Sequence, residues 1–299
     1  MSKIKLPTDR LWPRANSLFK ANQRQADLAL VGVPAHKSSI SPTSAHLTPK
    51  AIRAALEKYS TYAGSKDIDL RGLNFTDLGD ITNPDGAEGK KRVNKKLNGV
   101  LENYQTVIAL GGDNSITFSV ASALFPDLSK VGLVTLDAHH DLRDGMSNGS
   151  PVWRLIQAGL LGKNIVQIGI SDFANSREYT ERAKEQGIYV ITRDQLRRQS
   201  MKDSMKEAFS VLNRRVDEIY VDLDVDVCDR SVAPACPASV PGGISADELR
   251  QAAFYSGANS KVRAIDITEI DAKKDSADQR TIRLAALLVL EFAAGVATR

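Results

Sequence analysis

The sequence predicts an α/β domain built on a parallel sheet, and three features predict it. Short apolar runs rich in Val, Ile and Leu alternate with longer amphipathic stretches. Several runs are nearly continuous in apolar residues, as suits strands covered by helices on both faces. No linker, low-complexity tract or internal repeat breaks the alternation, so residues 1–299 read as one domain.

Taken in order, a strand at 26–33 leads to a helix at 49–59, where Thr48 suits the N-cap and Pro49 the first turn. A strand at 73–78 precedes a helix at 88–102, and a strand at 106–110 precedes a helix at 115–124. The run 131–136 is followed by a helix at 151–161, and 164–170 by a helix at 176–185. A short strand at 188–191 leads to a long helix at 193–213. Strands at 218–225 and 262–267 are followed by helices at 246–255 and 278–294. Eight strands alternating with eight helices fit either an open eight-stranded sheet or a (β/α)8 barrel. Both place chemistry at the carboxyl ends of the strands.

Composition narrows the function. Charged residues make up 25% and hydrophobic residues 42%, with a net charge of +4 over 299 residues, as in ordinary globular proteins. The basic stretch from Lys90 to Lys96 is expected to be a solvated helix face, not a nucleic-acid site. Two cysteines, Cys228 and Cys236, are too few for a disulfide framework and suggest a reducing compartment. The amino terminus lacks a signal-like apolar segment and no run is long enough to span a bilayer, so a cytoplasmic protein is expected.

Four strand ends carry polar clusters. The first is Gly111-Gly112-Asp113-Asn114-Ser115, whose paired glycines suit a sharp turn. In Asp137-Ala138-His139-His140-Asp141, extended backbone would aim Asp137, His139 and Asp141 at one point and His140 elsewhere. In Asp222-Leu223-Asp224-Val225-Asp226, the last two aspartates share a side, and Asp222 lies deeper as a structural hydrogen-bond acceptor. Aspartate is disfavoured in strands, so three in five residues departs strongly from local propensity and marks a functional segment. The fourth cluster ends at Glu269, a candidate anchor for a cationic substrate group. His36 and His46 lie in the first strand-end loop, where exposed histidines are expected.

Charge counting calls for cations. Asp137, Asp141, Asp224 and Asp226 carry four negative charges, and one pair at 4 Å repels by roughly 4 kcal/mol at an effective dielectric near 20. Two divalent cations neutralise all four. Carboxylate-rich ligation with one imidazole and no thiolate suits Mn²⁺ better than structural zinc.

Together these motifs resemble the ureohydrolase family, which includes arginases, agmatinases, guanidinobutyrases and formimidoylglutamases. The family pattern is GGDH, DAHxD, DxDxxDP and a late DIxE, matched here by 111–114, 137–141, 224–229 and 266–269. The segments 28–34, 48–53 and 76–80 resemble its GVP, P-x-A-I-R and DLGD segments, and the likeness runs from about residue 28 to 295. It implies a three-layer α/β/α fold with a parallel eight-stranded sheet and two Mn²⁺ held by Asn114, Asp137, His139, Asp141, Asp224 and Asp226. Asn114 stands where the family has histidine, which implies a weaker first metal position. Asn148 replaces the histidine of the arginase and agmatinase HG segment, and asparagine cannot transfer protons. Arg230 replaces a proline.

The segment Ser147-Asn148-Gly149-Ser150-Pro151 resembles the formimidoylglutamase branch. That implies cleavage of N-formimidoyl-L-glutamate to formamide and glutamate, in histidine degradation. Asn148 and the arginines Arg143, Arg154 and Arg230 are then candidates for substrate binding, because a guanidinium grips a carboxylate with two hydrogen bonds. Glu269 would align the amidinium and Asp141 would pass a proton to the leaving amine. The resemblance further implies a homotrimer or hexamer. A guanidino substrate and a non-catalytic member with an incomplete metal site are the alternatives.

Overall fold

In a computed structural model, which describes residues 9–21 and 23–299, the chain forms an open twisted sheet between two layers of helices. The strands of the main sheet are β1 (Phe19–Ala21), β2 (Ala26–Val33), β5 (Phe75–Asp80), β6 (Tyr104–Gly111), β7 (Val131–Leu136), β8 (Ile165–Ile170), β9 (Tyr189–Thr192), β10 (Glu218–Asp224) and β11 (Val262–Thr268). A separate two-stranded antiparallel ribbon, β3 (Tyr62–Ala63) with β4 (Ile68–Asp69), lies between β2 and β5 in sequence. The main sheet runs in the order β1-β5-β2-β6-β11-β10-β7-β8-β9, with all of its pairings parallel. Its ends do not meet, which excludes the barrel. It has nine strands rather than eight because three residues, Phe19–Ala21, add along the edge of β5. A run that short carries no periodic signal.

The helices are α1 (Thr48–Leu56), α2 (Gly86–Leu97), α3 (Ser115–Leu124), α4 (Pro151–Gln157), α5 (Arg177–Glu185), α6 (Met201–Leu212), α7 (Ala246–Ala258) and α8 (Arg280–Val296). Helices α1, α6, α7 and α8 contribute to one apolar core, and α2, α3, α4 and α5 to the other. Strand β2 shows why its stretch 28–33 is apolar throughout. Leu28 and Leu30 enter one core while Ala29, Val31 and Val33 enter the other.

Helix ends differ from the sequence expectation for local reasons. The stretch 193–213 splits, because the Ser200 hydroxyl caps a new helix by accepting from the Asp203 amide at 3.2 Å. Helix α2 stops before Gly99, which is left-handed at φ 73°. No described helix is long and apolar enough to cross a membrane. Residues 1–8 of the amino-terminal stretch lie outside the described residues.

The topology puts the four polar clusters side by side. Strands β6, β11, β10 and β7 are consecutive neighbours at the sheet centre, although far apart in sequence. Their parallel carboxyl ends open on one crevice, where the chain switches from building one half of the sheet to the other. Gly112 makes no left-handed turn there. It is required because a Cβ would lie 2.4 Å from the Ala35 carbonyl oxygen and 2.6 Å from its nitrogen. This close approach brings the loop after β2 onto the end of β6.

Candidate active site and metal centre

The strand ends turn rather than continue straight. Strand β7 stops at Leu136, and the chain bends through 137–141 until Asp141 adopts left-handed backbone at φ 52°. Strand β10 stops at Asp224, and Asp226 sits in a 3-10 turn, Val225–Val227. Glu269 is also left-handed, at φ 62°. The acids therefore converge through turns and two unusual backbone conformations, not through the alternation of an extended strand. Non-glycine residues in that region cost energy, which the surrounding hydrogen bonds must hold in place.

Asp137, His139 and Asp226 each offer a ligand atom, all within 4.8 Å of one another. His139 Nδ1 lies 2.7 Å from Asp226 Oδ2 and 3.4 Å from Asp137 Oδ1. Backbone amides fix these carboxylates: His139 N donates to Asp137 Oδ1 at 2.6 Å, Ala138 N to Asp226 Oδ1 at 3.0 Å, and Asp226 N to Asp224 Oδ1 at 2.8 Å. Asp137 Oδ2 is buried with no hydrogen-bond partner among the described residues. A buried carboxylate oxygen without a donor is costly, and a cation is the partner that suits it.

The protonation of the cluster points the same way. Burial, with Asp226 nearby, pushes Asp137 up to about 7. Burial and the facing Asp113 carry Glu269 up to about 8. Asp141 and Asp224 are raised well above the carboxylate range by burial and neighbouring acids. Burial opposes charge on His139, but Asp226 and Asp137 outweigh it and push the imidazole up to about 12. That imidazolium outweighs the effect of burial on Asp226 and holds it below its ordinary value. Without a metal, protons therefore stand where divalent ions fit.

This has a measurable sign. A carboxyl or imidazole with a raised folded-state pKa gives stability that is lost as pH rises through that value. The Tm of the metal-free protein is expected to fall between about pH 5 and pH 8, with Asp137, Glu269 and His139 acting in the same direction. Cations compete with these protons, so the Tm gain on adding a divalent metal should grow over the same range. Thermal scans showing an equal gain at both ends would contradict this account.

Asn114 meets the cluster with its amide nitrogen, not its oxygen. Nδ2 donates to Asp141 Oδ2 at 2.7 Å, while Oδ1 accepts from the Thr117 and Thr268 hydroxyls at 2.7 and 3.2 Å. The expected oxygen ligand is thus turned away. Glu269 Oε1 accepts from Asn114 N at 2.7 Å and from Asn148 Nδ2 at 2.9 Å. Asn148 in turn accepts from Ile40 N and donates its own amide to Ser38 O. It ties the first loop to Glu269.

A pocket of about 360 Å³ sits over this floor, lined among others by Asp141, Asp224, Asp226, Glu269 and Asn148. Of the three candidate arginines only Arg143 reaches it. Its side chain lies against Gly149, where a Cβ would be 2.8 Å from Arg143 Cδ, and it makes no ion pair among the described residues. Arg182 steadies the adjoining backbone, donating to Leu142 O at 2.7 Å and to Asp144. Arg154 lies outside the pocket, against the Phe118 ring. Arg230 is spent on its own loop, donating to the Cys236 and Pro237 carbonyls. Asn175, Ser176 and Tyr179, which the sequence did not single out, also line the pocket. They follow β8, whose end bears no acidic cluster to mark it.

Other expectations resolve simply. Among the described residues Asp222 accepts no hydrogen bond; buried opposite Asp266 in register, it is pushed well above the carboxylate range by burial and by Asp266. The structural acceptor is Asp266, which takes the Tyr220 hydroxyl at 2.7 Å and lies 2.8 Å from the Thr117 hydroxyl, whose one proton it shares with Asn114 Oδ1. His140 turns away, its Nδ1 2.6 Å from Gln167 Oε1. His36 and His46 pack against each other with ring centroids 4.5 Å apart, outside the pocket. Cys228 and Cys236 are buried and unpaired, and burial pushes both thiols up.

Comparison with known proteins agrees with this architecture. The family model for the arginase family matches residues 26–295. A formimidoylglutamase from Halalkalibacterium halodurans is 39% identical, over 96% of this chain and 93% of that protein. The crystal structure of formimidoylglutamase from Bacillus subtilis superposes with a TM-score of 0.92 at 32% identity, covering 99% of this chain and 95% of that one. A Trypanosoma cruzi formiminoglutamase solved with Mn²⁺ gives a TM-score of 0.87 at 25% identity, covering 96% and 99%. The chain belongs to the arginase family.

Proposed function

We propose that this protein hydrolyses the amidine C–N bond of N-formimidoyl-L-glutamate, adding one water to give formamide and L-glutamate in histidine breakdown. The observation that carries the substrate is Arg143, a guanidinium with no ion pair among the described residues, beside a pocket whose floor is acidic. An acidic floor suits metal ions and an amidinium; a free guanidinium suits a substrate carboxylate. Similarity to formimidoylglutamases over most of the chain supports the reading.

Asp137, His139, Asp224 and Asp226 would hold one Mn²⁺, and Asp137, Asp141 and Asp224 the other. When bound, such a pair supplies Lewis acidity that brings the pKa of a water toward neutrality. Glu269 pairs with the amidinium and aligns it, held in place by Asn114 N and Asn148 Nδ2. Asp141 takes a proton and returns it to the leaving amine. The metal position beside Asn114 is the weaker. Its amide oxygen could serve only by turning over, away from the two threonine hydroxyls it now accepts from. Two unpaired thiols suit a cytoplasmic protein.

Kinetics of one variant test the substrate assignment. Arg143→Gln is expected to raise KM for N-formimidoyl-L-glutamate by roughly 10–100-fold, the worth of a hydrogen-bonded charge, with kcat little changed. An unchanged KM would remove Arg143 from the site.

A further inference from the structure

A second cavity, of about 550 Å³, opens on the other side of the first loop, between Lys37 and Ser38, the start of α2, the first turns of α3, and α4. Three cations line it, Lys37, Lys90 and Arg154, against one carboxylate, Asp85. Asp85 Oδ1 is already engaged by the backbone amides of His36 and Lys37 at 2.9 and 2.8 Å. Lys90 Nζ and the Arg154 guanidinium carbon lie 4.4 and 3.8 Å from the centroid of the same Phe118 ring. Neither makes an ion pair or a side-chain hydrogen bond among the described residues. Burial lowers the proton affinity of both, and Arg154 lowers that of Lys90 further, with no anion acting in the opposite sense.

Lys90 and Arg154 repel each other, since Asp85, the one carboxylate in the lining, is held by backbone amides, and no side chain takes up the Arg154 donors among the described residues. An anion between them removes both costs, while the aromatic ring holds the cations in place. We propose that this cavity is an anion-binding site, separate from the catalytic pocket, that takes a small dianion through Lys37, Lys90 and Arg154. The fork of Arg154 and the point charge of Lys90 suit a phosphate or a short dicarboxylate alike. The loop that walls the cavity is the one Asn148 ties to Glu269, so an occupant there steadies one side of the catalytic pocket.

Calorimetric titration of the full chain with inorganic phosphate and with succinate, with and without Mn²⁺, tests the site. One equivalent of at least one anion should bind in both conditions; phosphate alone marks a phosphate-bearing ligand, succinate alone a dicarboxylate. Lys90→Gln and Arg154→Gln should each weaken binding by roughly tenfold or more, as should Lys37→Gln, which sits on an exposed loop where folding is not at risk. Arg143→Gln should bind unchanged. The proposal is overturned if neither anion binds, if binding requires Mn²⁺, or if Arg143→Gln loses it while the Lys90 and Lys37 variants keep it.

Discussion

Asp137→Asn is expected to weaken Mn²⁺ binding by more than the roughly 100-fold typical of losing a supporting partner, and to reduce kcat at saturating substrate by a comparable or larger factor. The substitution keeps the shape and can keep the acceptor for His139 N, but it removes a charge and places an N–H₂ where the orphaned Oδ2 now lies. A cation cannot share that position with a donor. Metal content after dialysis reads the effect directly, and the metal-free variant should still unfold cooperatively. If Asp137 were only a structural acid, the variant would retain its Mn²⁺, and that result would count against the site.

Glu269→Gln should separate substrate alignment from metal binding. Glutamine retains an oxygen to accept from Asn114 N and Asn148 Nδ2, so the local framework survives. The negative charge facing the amidinium does not. A loss of about 10²–10³-fold in kcat/KM is expected, the scale of removing one preorganised electrostatic contact. Mn²⁺ content should be unchanged. Loss of metal with loss of activity would instead make Glu269 part of the metal site.

The fold was legible because parallel strands buried on both faces must be rich in apolar residues, and β2, β6 and β7 carry long runs of them. The nine-stranded outline was not, since Phe19–Ala21 becomes a strand only because β5 offers a free edge. The acidic residues were legible because aspartate is so out of place at a strand end. How they converge was not. Alternation along an extended strand was the wrong reason: the chain turns at Asp137 and Asp224, and left-handed backbone at Asp141 and Glu269 completes the approach. The direction of the Asn114 amide depends on hydroxyls at Thr117 and Thr268, the latter from a strand 154 residues away, which no local motif contains. Arginines were the least legible. Arg143, Arg154 and Arg230 look equivalent in sequence, yet one reaches the pocket, one lies on Phe118 and one braces its own loop.

The most direct test of the account is product analysis. Mn²⁺-loaded protein is given N-formimidoyl-L-glutamate, agmatine and 4-guanidinobutyrate in separate reactions, and formamide, glutamate, ammonia and urea are each measured. The account predicts formamide and glutamate in equal amounts from the first substrate, dependent on Mn²⁺, and no urea from the other two. Urea from a guanidino substrate, with no formamide from N-formimidoyl-L-glutamate, would contradict it.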